Sequence, residues 1–202
     1  MKPLILISLL CIASLASCKK DEMTTVAEGH VYEVNSTTPV PGAKVYIARI
    51  KKYRFNTRFF NLDSTISNDK GKYYIKSTSS NIDLILYAEK EGYYNMLEDR
   101  HHLTKVTPGE NNHRNVYPIP PAWVRINYDQ LDPTHGVYIN PIPGGRVDGI
   151  ELISDTSVIA RIWGSSKVEL NTFHFVNGDL LSHEEEFVMT GSHDTTDVDI
   201  SF

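Results

Sequence analysis

The side chains best equipped for chemistry lie in Arg49-Ile50-Lys51-Lys52-Tyr53-Arg54-Phe55-Asn56-Thr57-Arg58-Phe59-Phe60, where basic groups and aromatic rings interleave. Guanidinium and ring faces together hold polyanions or stack on planar groups. Lys52, Tyr53, Arg54, Phe55, Arg58 and Phe59 therefore form the candidate ligand-binding set. The plainer use of the same pattern is an extended hairpin with aromatics inward and cations outward. On a strand Tyr53 and Phe55 share one face and Arg54 takes the other.

Histidines are the second source of chemistry. His101 and His102 are adjacent and would point to opposite faces of a strand, so they cannot share a metal. An Asn177-Gly178 turn would pair Val176 with Asp179 and His174 with Leu181. His183 then lies diagonal to His174 on one face, ~7–8 Å away between backbones. A catalytic zinc wants three protein ligands, and no third is evident. Two surface histidines, with no metal and no other cofactor, are the expectation.

Enzyme motifs are thin. His-Glu-x-x-His and Gly-x-Ser-x-Gly are absent. Ser67-Asn68-Asp69-Lys70 has Ser-x-x-Lys spacing but falls in a turn, not on a helix that would bring Lys beside Ser. His183-Glu184-Glu185-Glu186 reads as a solvated strand face. Asp194, Asp197 and Asp199 lack the glycine and closing Glu of a calcium loop and are expected to face water.

The elements that must position these residues are strands. Eleven tyrosines, frequent Val, Ile and Thr, and no long helical pattern predict an all-β chain. Gly29–Val34, Gly42–Ile47, Ile82–Ala88, Trp123–Tyr128, Val158–Trp163 and Val168–Val176 alternate or run apolar like strands. Asn68-Asp69-Lys70-Gly71 and Asn177-Gly178 are hairpin turns. Pro141-Ile142-Pro143-Gly144-Gly145 reads as a loop. Pro118, Pro120 and Pro121 around Ile119 favour an extended spacer.

The net charge of −5 argues against nucleic acid as a partner. Leu4–Leu15 is apolar, follows Lys2, and is shorter than the ~20 residues of a spanning helix. Small residues come next, as in a signal peptide. Cys11 lies in that leader, so Cys18 at its border is the one cysteine expected in the mature chain.

Leu15-Ala16-Ser17-Cys18 resembles the lipobox of bacterial lipoproteins. The resemblance implies cleavage before Cys18 and diacylglycerol on its sulfur; two or three acyl chains hold a protein stably to a bilayer. Lys20-Asp21-Glu22 looks like the signal that sends Bacteroidota lipoproteins to the outer cell surface. Gly29-x-Val31, Pro41-Gly42-Ala43-x-Val45, Ser67-Asn68-Asp69-x-Gly71-x-Tyr73 and Gly92-Tyr93 together resemble the carboxypeptidase regulatory-like domain, a transthyretin-like β-sandwich. Domains of that family are typically non-catalytic. The stretch from Arg49 to Asp63 is longer than the family's hairpin.

The expected organisation is a signal peptide over 1–17, a lipidated tether over 18–26, and a carboxypeptidase regulatory-like sandwich over 27–117. A proline-rich linker over 118–121 and a second β-sandwich over 122–202 follow. The expected function is non-catalytic binding or scaffolding at the outer membrane, held by lipid on Cys18, with glycans or outer-membrane proteins as candidate partners. The rival is a small cell-envelope hydrolase whose site is assembled from both domains.

Overall fold

The computed structural model describes residues 22–54, 56–79, 83–94, 103–129, 135–142, 150–152 and 156–201. The leader, Cys18, Phe55, the His101–His102 pair and the Pro143-Gly144-Gly145 part of the expected loop lie outside the described residues.

Every regular element among them is a strand. In chain order these are β1 (Met23–His30), β2 (Lys44–Lys52), β3 (Thr57–Ile66), β4 (Lys72–Ser79), β5 (Leu84–Glu89), β6 (Thr104–Val106) and β7 (Asn111–His113). Then come β8 (Pro121–Asp129), β9 (His135–Ile142), β10 (Ile150–Leu152), β11 (Thr156–Trp163), β12 (Ser166–Val176), β13 (Asp179–Thr190) and β14 (Thr195–Ser201). The chain is all-β, in a sandwich-like arrangement of sheets.

Sheets β4-β1-β7 and β3-β2-β5-β6 share one core. Val45, Ile47 and Ala48 of β2, Leu84–Ala88 of β5, and Ala27, Tyr73 and Ile75 fill it. Sheets β11-β8-β14 and β10-β9-β12-β13 share a second, built on Val124, Ile126, Ile162, Val168 and Leu170. Each fully buried Val, Ile or Leu contributes about 1.5–3 kcal/mol of apolar burial.

Gly29 is required by close approach: a Cβ there would overlap the Arg114 backbone carbonyl. The expected turns form. Gly71 takes φ 73, and Asn177 and Gly178 take φ 52 and 89, the left-handed pair that a two-residue hairpin turn needs.

Two expectations need correcting. β1 begins at Met23, inside the segment read as tether, and pairs from Met23↔Ser79 onward. Thr25 there is buried, and its hydroxyl accepts the Gly109 N–H at 2.9 Å, so a polar-looking segment is structural. Pro141 and Ile142 close β9 rather than opening a loop. Pro141 is in register with Leu170 of β12, and among the described residues β10 pairs with Val137–Ile139.

The proline run is extended and buried between the two cores. The carbonyls of Pro118, Ile119, Pro120 and Pro121 accept N–H groups of Val34, Tyr94, Gly164 and His193, at 3.1, 3.0, 2.8 and 2.8 Å. Prolines bring no donor, so this segment serves as a row of acceptors for four other parts of the chain.

Candidate functional site

The basic–aromatic stretch forms the β2–β3 hairpin. Its root is buried: Val45, Ile47 and Ala48 have no exposed surface. A register shift between Ile47 and Ala48 lets two successive residues face the core. Beyond the shift, Ile50 and, on β3, Phe59 pack against the same core. Arg49 and Lys51 take the other face by alternation.

Cations and rings alternate along that outer face. The Arg49 guanidinium lies 4.5 Å from the centroid of Phe60, its cross-strand partner. Lys51 Nζ lies 5.2 Å and the Arg58 guanidinium 5.7 Å from the Tyr53 centroid. Nearer the root, Lys44 Nζ sits 5.0 Å from the Tyr46 ring, which stacks on Tyr87. Lys51 and Arg58 are direct cross-strand neighbours. Like charges opposite one another destabilise a hairpin, and no acidic residue occurs between Arg49 and Leu62 to offset them.

The tip is closed by Tyr53 N–H donating to the Asn56 carbonyl at 2.7 Å. Tyr53, Arg54, Asn56 and Arg58 line a concavity of about 460 Å³ there. Tyr53 is 45% exposed and stands in the turn, not inward on a strand. Of the candidate set, Tyr53, Arg54 and Arg58 come together, Phe59 turns toward the core, and Lys52 is exposed across from Thr57. Arg49 and Lys51 were missed as members, although strict alternation from Tyr53 would have found them; Phe60 joins that face only through its register opposite Arg49.

The histidine expectation is corrected by one residue of register. β12 and β13 shift between His174 and Phe175, so His174 faces Ser182 and His183 faces Phe173. His183 stacks on Phe173 at 4.4 Å, and its Nε2 lies 2.8 Å from Asn171 Oδ1. His174 is buried. The two imidazoles therefore point to opposite faces and share no ion. Among the described residues no group of three or more His, Cys, Asp or Glu could hold a metal.

A second polar cluster joins the two cores. Buried Glu33 accepts hydrogen bonds from Tyr93 Oη at 2.7 Å and Ser192 Oγ at 2.7 Å, and lies 2.9 Å from His193 Nε2. Burial is the largest influence and raises the Glu33 carboxyl, yet the bonds from Ser192, Tyr93 and His193 and the His193 charge together hold it below its ordinary value. Burial, then the bond to Glu33, pushes the Tyr93 hydroxyl up. Ser, His and a carboxylate meet here, but serine and histidine both point to the carboxylate. A nucleophile needs its base within hydrogen-bond reach and the base oriented by a third group. This arrangement is a clamp. Tyr94 against Trp163 and Asn35 Nδ2 donating to the Ser165 carbonyl at 3.0 Å add to the same junction.

No family model matches the chain, and no curated protein matches it. Solved structures do. The minor pilin of Streptococcus agalactiae is 14% identical, with 89% of this chain and 94% of that chain covered, at a TM-score of 0.39. A streptococcal ancillary pilin is 12% identical, over 89% of this chain and 62% of that one, at 0.38. The Bacillus anthracis TIE protein is 11% identical over 89% of this chain, at 0.35, and this chain spans 34% of its length.

Proposed function

We propose that this chain is a non-catalytic module of the cell surface, anchored by lipid on Cys18, whose β2–β3 hairpin binds anionic glycans. The carrying observation is the outer face of that hairpin: Lys51 directly opposite Arg58, both at the Tyr53 ring, in a stretch from Arg49 to Leu62 that contains no acidic residue. A sulfate, phosphate or uronate placed between those cations relieves their repulsion while the ring offers a face for a sugar. The first sandwich, with its resemblance to the carboxypeptidase regulatory-like domain, serves as the rigid base of the arm.

The test is retention on immobilised heparin of the mature chain carrying Cys18→Ser, beside Lys51→Glu/Arg58→Glu. The wild-type sequence is retained at low salt and the double reversal flows through. Equal retention of both would refute the reading. Fractionating cells that express Cys18→Ala tests the anchor: the reading requires the variant to leave the membrane fraction.

A further inference from the structure

We propose that the acidic edge strand β13 is the docking surface for the basic β2–β3 hairpin of a second copy of this chain, so that copies join head to tail. This rests on the reading above that the hairpin takes an anionic partner, and it names one such partner.

β13 is the last strand of its sheet, and β3 is the last strand of its own. Among the described residues neither pairs on its other side, so each presents an open edge of backbone groups there. Among the described residues nine large hydrophobic side chains are exposed, and four belong to β13: Leu180, Leu181, Phe187 and Met189, at 58, 66, 51 and 68%. They lie as two pairs toward the two ends of this edge strand, with the charged residues between them. Lys167 Nζ covers one side of Phe187, 3.8 Å from its centroid.

Charge selects the occupant. Glu184, Glu185 and Glu186 fill the middle of β13, all exposed. Two β13 strands paired about a two-fold axis would set these runs against each other, which like-charge repulsion opposes. A bilayer is disfavoured for a related reason, because Asp179 and the glutamates flank Leu180 and Leu181 and cell membranes carry anionic lipid. The β2–β3 hairpin is the complement: Arg49, Lys51, Lys52, Arg54 and Arg58, exposed Tyr53, and an open edge on β3. The two surfaces belong to different cores of one chain, so the contact is heterologous and repeats from copy to copy.

Sedimentation velocity of the mature Cys18→Ser chain tests this. The sedimentation coefficient is expected to rise with protein concentration, and the rise to vanish at about 1 M salt, where screening acts within ~3 Å. Glu184→Lys/Glu186→Lys and Lys51→Glu/Arg58→Glu each remain monomeric alone. Mixed in equal amounts, the first still offers its hairpin and the second its strand, so they associate again, at least one to one. All four substitutions are at exposed positions, and Glu184→Gln/Glu186→Gln weakens association without adding charge. A wild-type chain that stays monomeric overturns the proposal, as does a mixture that fails to dimerise. Flotation of the wild type with phosphatidylglycerol vesicles, lost in Leu180→Ser/Leu181→Ser, would also overturn it in favour of a membrane. The heparin column separates the two readings. If the wild type is retained, the hairpin reversal is not, and neither chain associates, then self-docking fails while anion binding stands.

Discussion

The β2–β3 and β12–β13 hairpins are built alike and finished differently. Each is rooted in a core, through Ile47 and Ala48 in one and Val168 and Leu170 in the other. Each carries one register shift, at Ile47/Ala48 and at His174/Phe175. Each then runs into solvent, where Lys51 and Lys52 are exposed on one arm and Leu180 to Phe187 largely so on the other. The first arm ends in cations and a tyrosine, the second in leucines and glutamates. The lesson is that the core fixes an arm's direction and stiffness, while its exposed residues, which the core does not constrain, decide what it meets.

Root and tip should therefore respond differently to mutation. Ile47→Ala and Leu170→Ala each remove a side chain with essentially no exposure and are expected to destabilise by about 2–5 kcal/mol. Leu181→Ala and Tyr53→Ala should stay within ~0.5 kcal/mol. Urea denaturation measures both, and a tip variant as damaging as a root variant would break the contrast.

The two roots are joined through Glu33. Glu33→Gln weakens three bonds at a buried acceptor and is expected to lower stability at neutral pH by about 1–3 kcal/mol. The carboxyl is depressed in the folded chain. Its contribution is thus complete above the unfolded value of ~4.3 and is lost as pH falls through the lower folded value. Melting temperature against pH should be flatter for Glu33→Gln on the acid side, and parallel curves would count against the clamp.

A smaller effect separates the turns. At Gly178, φ is 89 and a Cβ would meet nothing within 4 Å, so Gly178→Ala carries backbone strain alone, about 1–2 kcal/mol. A further small effect has the opposite sign. Arg58→Thr removes the like-charge pair with Lys51 and should raise stability by ~0.2–1 kcal/mol while weakening heparin retention.

The strands and turns were legible because alternation and glycine placement are local. Gly71 and Asn177-Gly178 mark their turns without any tertiary information. The register shifts were not, since one extra residue leaves composition and periodicity nearly unchanged yet moves His174 to the face opposite His183. The start of β1 was hidden by threonines, of which Thr25 becomes structural only once Gly109 is placed beside its hydroxyl. Glu33, Tyr93, Ser192 and His193 were invisible as a group, because Glu33 lies 60 residues from Tyr93 and 160 from His193. The basic–aromatic arm was read as a stretch, but not which of its residues share a face.

The most direct measurement is a titration of the isotope-labelled mature chain with a sulfated oligosaccharide, followed by amide chemical shifts. The account predicts that the largest changes fall on Arg49, Lys51, Tyr53, Arg54, Arg58 and Phe60, and that β13 shifts only as far as the ligand displaces it from a neighbouring copy's hairpin. Changes centred on another part of the molecule, or none at saturating ligand, would contradict it.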